Sequence, residues 1–307
     1  MQLEGKRTLI TGAGSGIGRA LAIEASRLGM AVALCGRRSE ALYETLAEMT
    51  PSGRHLRLRG DITNAAVRRG MRDFLWRQWG GLDVLVNNAG VVPVGPLACA
   101  TDAELEQVMA TNVVAPMALT RELLPLLRRT VPSRVVNVGS MFGDIPYPLF
   151  AAYSASKFAL RGLSGALRRE LRPYGVGVTY AAPRATRTTA AQGFDSLVEP
   201  MQMRLDEPAR VAAHIWRSVM KDQDSAYANG PERLFVLMQR LLPRVIDRAV
   251  AAQMADPRVR DYLGQRYKAA RAQAGDQQSN ARSAGALRSV AQMRTPRPTR
   301  VEVAQPA

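Results

Sequence analysis

Thr8-Leu9-Ile10-Thr11-Gly12-Ala13-Gly14-Ser15-Gly16-Ile17-Gly18 is the stretch that decides how this chain is read. A short apolar run enters a glycine-rich loop, and an amphipathic segment, Gly18–Leu28, leaves it. Phosphates need backbone N–H groups at close range, so side chains must be missing where they approach, and a helix N-terminus adds partial positive charge. Gly12 is expected to make the tight turn, Gly16 to admit a pyrophosphate and Gly18 to pack helix against strand. The whole loop, Ser15 and Ile17 included, is therefore read as a dinucleotide phosphate site rather than an ordinary strand-to-helix turn.

Outward from this loop, strand-length apolar runs recur at Ala31–Cys35, Val84–Val86, Val135–Val138 and Val176–Tyr180, with His55–Leu58 a further candidate. Their near-continuous apolarity fits a parallel sheet buried on both faces. Between them lie helix-length amphipathic segments at Glu40–Met49, Asp102–Arg129 and Ala152–Tyr174. This order predicts an α/β fold with a doubly wound, mostly parallel sheet and helices on both faces. Past residue 190 the pattern changes to a long connection (Ala190–Asp206), a helix over Glu207–Met220 and a loop at Ala226–Gly230. Leu234–Met254 then repeats apolar residues at helical spacing with Arg233, Arg240, Arg244 and Arg248 on the other side, and Pro243 splits it in two. We expect a catalytic and dinucleotide-binding domain over 1–230, a helical C-terminal extension over 231–267, and a disordered basic tail over 268–307.

The chain has 307 residues, 47% of them hydrophobic, and a formal charge of +16. The last 40 residues contribute +5 of that charge, and the rest is scattered over helix faces. No zinc spacing or aromatic-interleaved basic groove accompanies it, so specific nucleic-acid binding is not expected. Cys35 and Cys99 lack metal-ligand spacing and form no disulfide framework, so neither a metal nor an oxidising compartment is called for. Met1 lies almost directly before the first strand, without a signal-peptide pattern, and no apolar run reaches the length of a bilayer span. A cytoplasmic protein, soluble or at most peripheral to a membrane, is the expectation.

The second strand ends Cys35-Gly36-Arg37-Arg38. A site for NAD carries an acid here for the ribose hydroxyls, and that acid would repel a 2′-phosphate. Arg37 and Arg38 offer planar guanidinium groups instead, which suit a phosphate and favour NADP(H). Farther on, Tyr153-Ser154-Ala155-Ser156-Lys157 places a phenol and an ammonium four residues apart on one helix face. An adjacent cation favours phenolate, so Tyr153 is expected to titrate below a free phenol and to move a proton near neutrality.

Together these motifs resemble the short-chain dehydrogenase/reductase family over roughly residues 5–190. Thr11–Gly18 matches its glycine loop, Asn87-Asn88-Ala89-Gly90 its strand-ending motif, Gly60-Asp61-Ile62 its adenine-binding turn and Tyr153–Lys157 its active-site signature. Val138-Gly139-Ser140 ends a strand where the family places its serine, and Asn112 matches the family's helix asparagine. The resemblance implies a Rossmann-like fold, NADP(H) and hydride exchange between a carbonyl and an alcohol. Tyr153 would be the general acid or base, and Lys157 would tune it and hold the nicotinamide ribose. Ser140 would bind the substrate oxygen and Asn112 would keep a water in a proton relay. Asp61, Ile62, Asn88, Ala89, Gly90 and Pro183 would line the cofactor, with Thr188 near the carboxamide. Read alone, Ser140 is equally a strand-end hydroxyl, and Asn112 a helix residue bonded to backbone.

One departure stands out. The family's Pro-Gly after the sixth strand is here Pro183-Arg184. Arg184 has two readings, a cleft residue facing an anionic group or a solvent-facing arginine. Met141–Phe150, with Phe142, Pro146, Tyr147 and Leu149, and Ala190–Asp206 are expected to meet the substrate, which suggests a hydrophobic or acyl-bearing carbonyl or alcohol. Leu234–Met254 is read as core packing, a subunit contact in a homo-oligomer, or a membrane-surface helix. The alternative to an active reductase is a catalytically silent NADP-binding regulatory or scaffolding protein.

Overall fold

The computed structural model of the chain describes residues 1–228, 230 and 232–272. The elements are β1 (Arg7–Thr11), α1 (Gly16–Arg27), β2 (Ala31–Gly36), α2 (Ser39–Ala47), β3 (Leu56–Arg59), α3 (Ala65–Trp79) and β4 (Val84–Asn87). Next come α4 (Asp102–Met109), a π-helical turn at Ala110–Val114, α5 (Ala115–Arg128), β5 (Ser133–Val138), α6 (Ala151–Leu171) and β6 (Val176–Ala182). The chain continues through α7 (Asp195–Val198), α8 (Pro208–Met220), β7 (Ser225–Tyr227), α9 (Glu232–Leu241) and α10 (Pro243–Met254).

The seven strands form one parallel sheet in the order β3-β2-β1-β4-β5-β6-β7. Successive side chains of a strand point to opposite faces, so each strand feeds two cores. Ile10, Val32, Leu34, Val86 and Val136 pack under α1 and α8, where the Trp216 indole donates to the Leu21 carbonyl at 3.0 Å. Leu9, Ala33, Leu85, Val135 and Val178 pack on the other face under α3, α5 and α6. This double burial is why the strands read as unbroken apolar runs. Chain order reverses at β1, which has β2 on one side and β4 on the other, and open α/β sheets bind ligands at such a switch point.

Three elements were not read from the sequence: β7, α3 and the single turn α7, which lies inside the connection expected over Ala190–Asp206. The loop assigned to Ala226–Gly230 begins instead inside β7, a three-residue strand paired with the end of β6. Helix α3 also escaped, because its inward face of Val67, Met71, Phe74, Leu75 and Trp79 is interrupted by buried Arg68 and by Arg69, Arg72 and Arg77. It is held by local chemistry. Asn64 accepts from Ala66 and Val67 N–H at its start, and Gly80 closes it in the left-handed conformation. Buried Arg68 donates to the carbonyls of Ile62 and Thr63 and pairs with Glu122 on α5.

The chain divides into two compact units, Met1–Arg260 and Asp261–Ala307. The first contains the sheet together with α9 and α10. In the second, residues 261–272 are helical, so the start assigned to the tail, residues 268–272, is part of a helix. The rest of the expected tail, 273–307, lies outside the described residues.

Candidate active site

The loop after β1 turns on two glycines with positive φ, Gly12 at +67° and Gly16 at +53°. A Cβ on Gly12 would stand 2.9 Å from the Ala89 Cα, and one on Gly16 would meet Thr188 Cγ2 at 2.9 Å. Gly18 is tighter still: its Cβ would fall 2.1 Å from the Gly12 carbonyl oxygen. Helix α1 begins at Gly16 with no acidic residue in its first turn and no cap bond from Ser15, so its N-terminal field is open to an anion. The strand-end motif after β4 braces the loop. Thr11 Oγ1 accepts from Asn88 and Ala89 N–H, both at 3.0 Å, and the Asn88 amide donates to the Thr11 carbonyl at 2.9 Å.

A cavity of about 330 Å³ runs from this loop along the strand ends. Gly12, Ser15, Gly16, Ile17, Arg37, Arg38, Asp61, Ile62, Asn88, Ala89, Gly90, Ser140, Tyr153, Lys157, Pro183 and Thr188 all line it. Gly18 and Asn112, from the same sequence-derived set, stand behind the wall rather than in it. At one end Arg37 and Arg38 are exposed. Burial would raise the Asp61 carboxyl, but hydrogen bonds from Thr63 and the charge of Arg37 hold it below its ordinary value.

At the other end, α6 presents Tyr153 and Lys157 and the end of β5 presents Ser140. Buried Lys157 donates from Nζ to the Val138 carbonyl at 2.9 Å and stands 5.5 Å from the Tyr153 ring centroid. Burial pulls its ammonium down to about 8. Burial also pushes the Tyr153 phenol up to about 12, against a weaker opposing hydrogen bond with the Ser140 side chain. This reverses the expected lowering. In the protein alone desolvation outweighs the cation, whose recorded hydrogen bond goes to a backbone carbonyl.

Asn112 is tied to the helix that carries Tyr153 and Lys157 through Ser156, whose hydroxyl donates to the Tyr153 carbonyl at 2.7 Å. Asn112 lies in the π-helical turn, a distortion frequent at functional sites. Its amide is taken up by Val91, accepting from the N–H at 2.8 Å and donating to the carbonyl at 2.9 Å, and it also donates to Ser156 Oγ at 3.0 Å. The backbone-bonded reading of Asn112 thus describes its side chain. Beside Tyr153 is an aromatic wall: Phe142 stacks on Tyr147 with centroids 5.0 Å apart, tilts against Phe150 and meets Tyr153 edge-on. Phe194, from the connection after β6, closes on Phe150 at 5.4 Å.

Residues 6–197 match the family model of the short chain dehydrogenases. The chain belongs to that family. A bovine dehydrogenase/reductase, SDR family member 7B, is 30% identical over 260 residues, 80% of each chain. Mouse retinol dehydrogenase 5 is 35% identical over 210 residues, 67% of this chain and 64% of the relative. A short-chain dehydrogenase from Streptomyces avermitilis superposes with a TM-score of 0.70 at 30% identity, covering 82% of this chain and all of that one. The protein is therefore an enzyme, a nicotinamide-dinucleotide-dependent oxidoreductase acting between carbonyls and alcohols.

Two features of this short-chain dehydrogenase were not anticipated. Arg184 lines the cleft, as the first of its two readings has it, but its partly exposed guanidinium is already matched by acids of the protein itself. Its guanidinium grips Asp206 with both ends, Nε at 3.0 Å and Nη2 at 2.7 Å, and Nη1 pairs with Glu232 at the start of α9. The arginine therefore fastens the segment after β6 to the C-terminal helices. The second feature is Tyr180, in the middle of β6. Its hydroxyl donates to the Ser140 carbonyl at 3.1 Å and accepts from the Ser140 N–H at 3.5 Å. Its ring fills the space that a Cβ on Gly139 or Gly143 would need. In the sequence the phenol lies about 40 residues from these two glycines, and nothing in the spacing joined them.

Proposed function

We propose that this enzyme is an NADP(H)-dependent reductase of hydrophobic carbonyl compounds, with Tyr153 as the proton donor. The observation that carries the reading is one cavity with exposed Arg37 and Arg38 at one end and Tyr153, Ser140 and buried Lys157 beside an aromatic wall at the other. The glycine loop fits a pyrophosphate, since it lines the cavity at the N-terminus of α1, which has no acid in its first turn and no cap bond from Ser15. Arg37 and Arg38 would hold the 2′-phosphate, Asp61 and Ile62 the adenine, Asn88, Ala89 and Gly90 the middle of the dinucleotide, and Pro183 and Thr188 the nicotinamide end. When bound, the dinucleotide supplies the hydride, which goes to the carbonyl carbon.

The rest is done by side chains. Ser140 donates to the substrate oxygen and orients it. Tyr153, a neutral phenol well above neutrality, gives that oxygen its proton and completes the alcohol. The Lys157 cation stabilises the phenolate left behind. Asn112 acts through its neighbours, tying the Val91 segment to α6 through Ser156. Phe142, Phe150, Phe194 and Met203, all at the cavity wall, exclude water and favour an apolar substrate. The retinol named in the mouse relative is such a molecule.

The cofactor reading is tested by calorimetry at matched salt. NADPH should bind about tenfold to a hundredfold more tightly than NADH, the scale of hydrogen bonds to a charged group. Arg37→Asp should erase most of that ratio. Equal binding of the two dinucleotides by the parent protein rejects NADP(H), and NADPH oxidation across lipophilic ketones and aldehydes tests the substrate class.

Tyr180 is a positioning residue in this scheme. Tyr180→Phe keeps the ring against Gly139 and Gly143 but frees the Ser140 backbone. Turnover should fall by about tenfold, the scale of one or two hydrogen bonds, with dinucleotide affinity unchanged. A merely structural role would lower the melting temperature without that separation of kcat from cofactor binding.

A further inference from the structure

We propose that the outer face of α9 and α10 is a docking surface for an anionic lipid bilayer. Leu234, Phe235, Leu237, Leu241, Leu242 and Val245 are exposed, Leu241 to 68%. These residues of the stripe are therefore not packed into the core, whereas Met238, Ile246 and Val250 are half-buried. Helix α9 turns Val236 and Glu232 inward, whereas α10, described in full, buries no residue. Leu241, Leu242 and Val245 bracket the break at Pro243, where α9 and α10 contact one another, so the exposed apolar residues gather around this junction rather than scatter. An exposed apolar cluster of this kind marks an interaction site.

Charge selects the occupant. Arg233, Arg244 and Arg248 are exposed on the same two helices, while Arg240 leans back to 3.6 Å from Asp144. Glu232 is engaged with Arg184, which leaves Asp247 as the remaining acid between 232 and 254. A second copy meeting this face two-fold would set arginines against arginines. Residues 273–307 of the chain carry five arginines against two acids, the same sign again. Anionic headgroups satisfy the arginines while the leucines enter the acyl boundary, the arrangement of an interfacial amphipathic helix. No helix among the described residues is long and apolar enough to cross a membrane, so this contact is peripheral.

The face is also wired to the cleft. Glu232 of α9 pairs with Arg184, and Gln253 of α10 accepts from the Tyr147 hydroxyl, whose ring stacks on Phe142.

The test is cosedimentation of the full chain with vesicles of phosphatidylcholine alone or mixed with phosphatidylserine, read without substrate or dinucleotide, so that the outcome is independent of the proposed reaction. The parent should bind the mixed vesicles, less so as salt rises, and leave phosphatidylcholine largely unbound. Leu241→Asp with Val245→Asp should cut partitioning at least tenfold at an unchanged melting temperature. Arg244→Gln with Arg248→Gln should cut it roughly fivefold per arginine and flatten the salt dependence. Equal binding to both vesicle types overturns the proposal. So does an aspartate variant that pellets like the parent, which assigns binding elsewhere in the chain. A parent dimer in sedimentation velocity that the aspartate variant breaks, without vesicle binding, assigns the face to a second copy.

Discussion

Tyr153→Phe should lower turnover of any accepted carbonyl by about a thousandfold while leaving dinucleotide affinity within about twofold of the parent. The phenylalanine ring keeps the edge contact with Phe142 but has no proton to give. The phenol sits at about 12, so the parent holds its proton throughout the neutral range, the form that reduction consumes. The pH dependence then belongs to Lys157. Its value is lowered to about 8, so the cation is present below that pH and is lost as pH rises through it. Carbonyl reduction should accordingly decline above about pH 8, with the parent and not the phenylalanine variant showing the step. Steady-state rates beside a fluorescence titration of NADPH check both statements. Near-parent rates in Tyr153→Phe would put the proton route elsewhere.

The second large effect is predicted for Gly18→Ala, which should destabilise the protein by about 3 kcal/mol or more, as an overpacked core does at its worst. The added methyl would stand 2.1 Å from the Gly12 carbonyl oxygen and 2.5 Å from the Asn88 amide nitrogen. Neither can step aside. The first is the backbone of the phosphate loop, and the second holds the Thr11 carbonyl. Gly70→Ala is the control, on the exposed face of α3 with nothing within 4 Å, and it should stabilise by about 0.5–1 kcal/mol. Urea melts of the three proteins decide it. A Gly18→Ala protein as stable as the parent would mean that α1 can slide away from β1.

These two positions also mark what the sequence makes legible. A glycine loop after a strand, a Tyr–Lys pair one helical turn apart and an apolar stripe split by proline are local patterns, and local geometry turns each directly into a structure. Helix α3 was lost because Arg68, Arg69, Arg72 and Arg77 interrupt its apolar stripe of Val67, Met71, Phe74, Leu75 and Trp79, and one of them, Arg68, is buried within it. The direction of the Tyr153 titration was lost for a different reason. Spacing shows that a cation is near, but not how much water the fold removes from the phenol. Partners distant in sequence were invisible altogether. Asn87 donates to Thr120 and Asn137, and Asn137 donates to Ser164, a buried chain that ties β4 and β5 to the helix carrying Tyr153. Asn87 is marked by its place in the strand-ending motif, but Thr120, Asn137 and Ser164, taken singly, are unremarked polar positions.

Arg184 bears on how this protein can be altered or inherited. Because it joins Asp206 and Glu232 across the segment after β6, the C-terminal helices are not an appendage that can be exchanged at will. A chimera that keeps this sheet but takes its C-terminus from another dehydrogenase loses the acid at 232 and leaves the guanidinium half-matched. One that keeps the helices and restores the family glycine strands a buried carboxylate, one of whose oxygens already lacks a partner. The three positions should therefore change together or not at all among close descendants of this chain, as a lock and its key are recut in pairs.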